Sequence, residues 1–362
     1  MGIDEPVVAT QTLSQHPTVS AVSPPLREGC RVSPYIASLL ISCCIYSVLA
    51  MTLDILVGET GIFSAAHAVF FALGAYAAGL TLIHLTSSVL VGIAIAVALS
   101  ALAGLLLALT AIRSAEITFV VSSLAIGIVF TQVVASWNDF TGGEAGLAGI
   151  VSPTIFGFTL ASQDSFVTFA LVVTGVVMGL RYLVSRSGMG LRMRIVREDS
   201  LAATSFGARI SLIKITAVVV SSGLASLGGV LYAYYITFIS PGSFTINVSL
   251  LIAVMVIIGG AGRVLGPVIG ATIITLLPNY LQNLPIPASH LGAITQVIYG
   301  TALVVIMMVE PGGLQTLAAR FARRIGIPLA GRDKPGGGAP GVLATEGAVS
   351  NRPASLDGSL YG

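Results

Sequence analysis

Three stretches of this chain, residues 61–112, 215–262 and 264–309, contain no Asp, Glu, Lys or Arg. One helix crossing a bilayer needs about 20 apolar residues, so each stretch has room for more than one crossing. A backbone in lipid must satisfy its own N–H and C=O groups, which restricts such a chain to helices or a closed barrel, and runs of this length suit helices. Composition agrees: 9% of the 362 residues are charged, 55% are hydrophobic, and the mean hydropathy is +0.96. Soluble domains carry about 25% charged residues. The fold class that follows is all-α, a polytopic helical membrane protein.

The few charges are distributed unevenly. Seven of the 17 Lys/Arg residues fall within 181–214: Arg181, Arg186, Arg192, Arg194, Arg197, Arg209 and Lys214. A basic island between apolar blocks reads as a cytoplasmic loop, because short Lys/Arg-rich loops are retained on that side. Loop 138–164 carries Asp139, Glu144 and Asp164 without Lys or Arg and should face outside; its TGGEAGLAG core could dock a partner or simply connect two helices. Arg320, Arg323 and Arg324 place the far end of the bundle inside. The apolar segments are expected near 35–53, 54–76, 88–112, 117–137, 165–184, 215–237, 250–258, 268–281 and 291–309, within a range of 8–10 crossings. Nine crossings with an inside C-terminus leave the N-terminus outside, against the weak preference of Arg27 and Arg31. A re-entrant or divided 54–76 segment would restore the parity. Residues 1–34 read as a polar N-terminal segment, 35–312 as the membrane domain with a cytoplasmic loop at 185–214, and 327–362 as a Gly/Pro-rich disordered tail.

Segment 54–76 is apolar in bulk but interrupted by Asp54, Gly58, Glu59, Thr60 and Gly61, with Ser64 and His67 following. A glycine-broken, polar-dotted membrane segment points to a discontinuous helix lining a polar path. The plainer alternative is a tight connection between two helices, its small residues serving close packing. His67 is the ionisable side chain set well inside an apolar segment. It is either a neutral imidazole bonded to a neighbouring helix or a proton carrier.

Several function classes are excluded or weakened. Lys214 and Lys334, the only lysines, do not follow the Gly-rich run of a phosphate-binding loop, so no ATP site of that kind exists. GGAGRVLG at 259–266 lacks the βαβ context and later acidic residue of a dinucleotide site and suits a turn between membrane helices. Cys30, Cys43 and Cys44 show neither metal nor disulfide spacing. A net charge of +2, with basic residues at the ends of apolar blocks, makes no case for nucleic acid. Carboxylates Asp54, Glu59 and Glu116 lie near segment ends, and no charged pair is evident deep inside a span. If the chain transports, its energy comes from a partner. Within the basic loop, residues 197–207 (REDSLAATSFG) can form one short helix. Glu198 and Asp199 suit its positive end, Leu201 and Phe206 supply apolar contacts, and Gly207 is a natural stop. Such a helix could insert into a groove on another protein.

That loop, REDSLAATSFGARISLIK, resembles the cytoplasmic coupling-loop signature of permease subunits of ABC importers. The resemblance is closest to branched-chain amino acid permeases of the LivM type. LVGETGIFSAAHAVFFALGAYAAGL, TGGEAGLAGI, SRSGMGLRMRIVRED, SSGLASLGGVLYAYYITFISPGSF and VMVIIGGAGRVLGPVIGA fit the same family in the same order, across roughly residues 50–310. Several motifs in one order are more specific than any one alone. The chain departs from the family pattern at Glu59 and Ile62, usually neutral and polar respectively.

The resemblance implies a non-enzymatic, multi-pass subunit of the bacterial inner membrane without cofactor or metal. Its implied partners are membrane lipid, a second permease of the LivH type, two cytoplasmic ABC ATPases and a periplasmic binding protein. It places Arg197, Glu198, Asp199, Ala203 and Gly207 on the segment that docks on an ATPase. Gly58, Gly61, Ser64 and His67 would then lie beside the translocation path, with loop 138–164 and turn 240–244 facing the binding protein. The implied cargo is a branched-chain amino acid. Urea and short amides are the alternative within the same pattern, and an ion-coupled carrier working alone is the alternative from a different class.

Overall fold

A computed structural model describes residues 33–309, apart from 87, 114–115, 151–152, 156–157, 161, 206 and 283–287. The expected N-terminal segment up to residue 32 and the expected tail at 327–362 lie outside the described residues. Helix α1 (Pro34–Asp54) opens on a proline, whose fixed φ suits the first turn and whose missing N–H costs nothing there. A π-helical turn, Ile55–Thr60, prolongs it. Next come α2 (His67–His84), α3 (Val89–Arg113), α4 (Glu116–Ser136) and the single turn α5 (Asn138–Thr141). Strands β1 (Thr154–Ile155) and β2 (Phe158–Thr159) pair antiparallel, with Thr154 opposite Thr159 and Ile155 opposite Phe158. The remaining helices are α6 (Gln163–Arg186), α7 (Gly188–Glu198), α8 (Ser200–Ser205), α9 (Ile210–Ile236), α10 (Ile246–Gly259), α11 (Gly266–Gln282) and α12 (Ala288–Val309).

Seven helices among the described residues are long and apolar enough to cross a bilayer: α1 with its π turn, α2, α3, α4, α6, α9, and α10 with the turn before it. Helix α11, at 17 residues, and the apolar Leu291–Val305 part of α12 are shorter. Each of the nine expected apolar segments carries a helix, 54–76 being broken at residues 61–66, and the chain is a polytopic helical membrane protein. The outer faces of α3, α4 and α6 expose Leu102, Leu106, Val129, Val172 and Leu183, surface that water would not tolerate but lipid solvates.

Helix α1 is the central post. Val48, Leu49, Met51, Leu53 and Leu56 are fully buried where it packs among α6, α9, α10 and α11. On its other side α9 presses against α2 at backbone distance: a Cβ added to Gly229 would lie 2.1 Å from the Phe71 carbonyl oxygen. Small residues at helix contacts allow this approach, and dispersion across it holds helices together in lipid.

Two contacts give the orientation of α1. Gln163 Nε2, at the start of α6, donates to the Pro34 carbonyl at 2.9 Å, and Arg181 of the same helix meets Asp54 at the other end. Helices α1 and α6 are thus parallel, and α1 begins on the side of the acidic 138–164 loop. The 54–76 segment does not repair the parity. Its first part prolongs α1, residues 61–66 are irregular, and the remainder is α2. The loop itself is anchored, because Leu147 and Ile239 exchange backbone hydrogen bonds of 2.7 and 3.0 Å.

Candidate functional site

The basic island folds as a two-helix arm between α6 and α9. Helix α6 runs on to Arg186, so Arg181 belongs to a membrane helix rather than to the loop. Ser187 separates α6 from α7 and caps α7, its Oγ accepting from the Gly190 N–H at 3.2 Å. Helix α7 is amphipathic: Met193 and Val196 are buried, while Leu191, Arg192, Arg194 and Ile195 face outward.

The single helix expected over 197–207 is not what forms. Arg197 and Glu198 end α7, Asp199 is extended (φ −153°, ψ 106°), and α8 occupies Ser200–Ser205. Glu198 therefore sits at the negative end of α7 rather than at the positive end of a new helix. Short polar side chains such as Asp199 favour non-helical backbone next to a helix start. Gly207 stops α8 as expected. Its φ is +77°, its N–H donates to the Thr204 carbonyl at 2.9 Å, and the Ala208 N–H donates to the Ala203 carbonyl at 3.0 Å. That paired pattern is the glycine-ended helix cap. The Leu201 and Phe206 side chains lie outside the described residues. Between α7, α8 and the start of α9 lies a cavity of about 490 Å³, with Met189, Ile195, Ala203, Gly207 and Leu212 in its lining.

Beneath the arm is a buried charge cluster. Arg181 Nη2 lies 2.6 Å from Asp54 Oδ2 and Nη1 lies 2.7 Å from Glu59 Oε1, and all three side chains are fully buried. Asp54 Oδ1 accepts from the Gly262 N–H at 2.7 Å, which ties the α10–α11 turn to the end of α1. Arg194 Nε approaches Glu59 Oε2 at 3.6 Å, while its Nη2 donates to the Ser185 carbonyl at 2.8 Å. Arg197 Nη1 donates to the Gly58 carbonyl.

The π turn makes the cluster possible. At 3.6 residues per turn, positions five apart point about 140° away from each other. The i→i+5 register of a π-helix brings them to one face, so Asp54 and Glu59 both meet Arg181. Gly58 completes the fit: a Cβ there would lie 2.2 Å from Asp54 Oδ1 and 2.3 Å from the Gly262 nitrogen. Isolated buried charges cost several kcal/mol each, and here each buried charge faces an opposite one at one end of the bundle.

The four path candidates divide into two groups. Gly58 and Gly61 belong to this joint, Gly61 ending the π turn at φ +73° beside the Arg197 side chain. Ser64 and His67 lie deeper and are buried. Serines of other helices satisfy the backbone there: the Ala65 N–H of the irregular stretch donates to Ser123 Oγ at 3.0 Å and the Ala68 N–H, in the first turn of α2, to Ser249 Oγ at 2.8 Å. His67 Nε2 lies 3.0 Å from Thr52 Oγ1, which itself donates to the Leu49 carbonyl at 2.9 Å. Ser64 Oγ and His67 Nδ1 have no hydrogen-bond partner among the described residues.

Of the arm residues, Glu198 and Asp199 are exposed, Ala203 and Gly207 line the cavity, and Arg197 turns inward to Gly58. Sequence reasoning missed the Arg181–Asp54–Glu59 set. The available signal was a lone arginine with apolar neighbours on both sides, together with two carboxylates that had no nearby cation.

The family model described as branched-chain amino acid transport system / permease component matches residues 35–309. Among curated proteins, the chain is 25% identical over 293 residues to the high-affinity branched-chain amino acid transport system permease protein LivM of Salmonella typhimurium, covering 75% of this chain and 67% of that protein. The Escherichia coli LivM protein is similar to the same degree and extent. The autoinducer 2 import system permease protein LsrC of Escherichia coli is 26% identical over 203 residues, 55% of each chain. No solved structure matches significantly.

Proposed function

The chain belongs to the branched-chain amino acid transport permease family, and from that premise we propose that it conducts a branched-chain amino acid into the cytoplasm. It is a multi-pass inner-membrane protein of an ABC transport system. In this reading a periplasmic binding protein delivers the cargo, a second permease of the LivH type completes the pore, and two separate ATPase subunits drive the cycle. The cargo class rests on the LivM relatives, which align with three quarters of the chain. Urea or a short amide is the alternative cargo.

The observation that carries the reading is the α7–α8 arm. It projects between two membrane helices and holds an apolar cavity edged by Ala203 and Gly207, with Glu198 and Asp199 exposed beside it. An arm of this form suits a groove on a cytoplasmic partner. It does work only if its position differs between two states of the transporter, since a contact equal in both shifts nothing. Segment 58–67 stands beside the path in this reading, with Ser64 Oγ and His67 Nδ1 as its spare polar atoms.

Glu198→Arg tests the docking. Reversing this exposed charge is expected to cut the ATPase retained on affinity-purified permease about tenfold, equivalent to about 1.4 kcal/mol. Retention equal to wild type would remove the arm from the ATPase interface.

A further inference from the structure

We propose that Arg181, Asp54 and Glu59 form an ionic joint that carries movement of the α7–α8 arm to α1 and the α10–α11 turn; the proposal rests on the coupling role read for the arm above. Four separate elements converge on it. The carboxylates come from the end of α1 and its π turn, the central cation from α6, the flanking cations Arg194 and Arg197 from α7, and the Gly262 amide from the α10–α11 turn. Among the described residues, α7 thus grips the π turn from the arm side while Arg181 grips the same turn from the membrane side.

Stability alone does not account for the arrangement. A buried ion set is often no more stable than the apolar residues that could replace it, and its best-attested use is to specify a register or a switch. Packing by apolar side chains would let α1 slide against α6. Hydrogen-bonded charges hold it at one register, and they direct force along the bonds.

The π turn supplies the second arrangement that a switch needs. Asp54 and Glu59 share a face because the turn is π-helical. Tightening residues 55–60 into α register turns Glu59 about 140° away from Asp54 and releases it from Arg181 toward Arg194. A shift of α7 therefore alters the pitch at the foot of α1, the helix packed at the centre of the bundle. Arg181, Asp54 and Glu59 are positioning residues in this account and do not touch the cargo.

The test compares wild type with the neutral triple variant Arg181→Met, Asp54→Asn, Glu59→Gln. The variant leaves no uncompensated buried charge and is therefore expected to fold. Both proteins are reconstituted in proteoliposomes with the second permease, the ATPases and the binding protein. Radiolabelled leucine taken up per ATP hydrolysed is expected to fall about tenfold in the variant, within the 5–150-fold span of ordinary coupling free energies, with hydrolysis maintained. A second readout needs no cargo: spin labels at exposed Leu191 on α7 and Tyr35 on α1 report their separation as ATP binds. The separation is expected to change in wild type as the π turn tightens, and to change by a different amount in the variant, where no ionic bond ties α7 to that turn. An unchanged uptake-to-hydrolysis ratio, or label distances that respond alike in both proteins, would overturn the joint. Failure of wild type to accumulate leucine would count against the cargo reading, and the label distances would still decide the joint.

Discussion

Arg181→Met alone is expected to destabilise the folded protein by about 3–5 kcal/mol, the cost of removing one partner from a buried ion set. The residual charges explain the size. Asp54 and Glu59 would remain fully buried, facing each other across the space left by the guanidinium, with only the Gly262 amide and the more distant Arg194 for compensation. Neutralising the carboxylates in the same chain removes that penalty, so the triple variant should recover most of the loss. The measurement is detergent-solubilised melting of wild type, the single variant and the triple variant. A single variant as stable as wild type would mean that the carboxylates are solvated or protonated in the folded protein. A triple variant no better than the single one would mean that Arg181 matters for its volume and not for its charge.

Gly207→Pro is expected to abolish ATP-driven uptake while leaving the membrane bundle folded. Gly207 has φ +77° and donates its N–H to the Thr204 carbonyl. Proline is locked near −65° and has no N–H, so it can adopt neither the angle nor the bond. Helix α8 would lose its stop, and Ala203 and Gly207 would leave the cavity they now edge. Among the described residues, apart from its chain neighbours, no heavy atom stands within 4 Å of a Cβ at this position. The effect is thus one of backbone conformation, and Gly207→Asn, a residue that tolerates the left-handed region, should retain most uptake. Uptake by Gly207→Pro at the wild-type rate, or equal losses in both variants, would contradict the assignment.

How much of this was legible in the sequence follows from what each residue type can signal. The spans were readable because charge is almost forbidden in hydrocarbon, so charge-free runs outline helices directly. Gly207 was readable because a glycine after a short helix has one ordinary use. Arg181 was grouped with the basic island, although it lies inside the expected 165–184 segment, because a cation near the end of an apolar run ordinarily marks the membrane edge, whereas α6 continues to Arg186 and buries it. Its pairing with Asp54 and Glu59 was invisible for a geometric reason: the carboxylates are five residues apart, a spacing that scatters them on an α-helix and aligns them only on a π turn.

The division of the arm at Asp199 was likewise hidden, since REDSLAATS supports one helix or two on local preference alone. Ser123, Ser221 and Ser249 gave no warning of their roles, because serines in membrane helices commonly bond back to their own backbone. Here Ser221 Oγ donates to the Thr52 carbonyl at 2.7 Å, while Ser123 accepts from Ala65 in the irregular 61–66 stretch and Ser249 from Ala68 in the first turn of α2. The discontinuity at 54–76 was correctly located, but its buried charges were not foreseen. It contains a charged joint at the foot of α1 followed by a serine-braced climb into α2.

The most direct test of the central claim, that this chain is the conducting subunit of an ATP-driven importer worked through its α7–α8 arm, is radiolabelled leucine uptake in proteoliposomes of defined composition. With the second permease, both ATPases and the binding protein present, uptake should require ATP and stop when either the ATPases or the binding protein is left out. Uptake by this chain without ATPases, driven by a proton or sodium gradient, would contradict it.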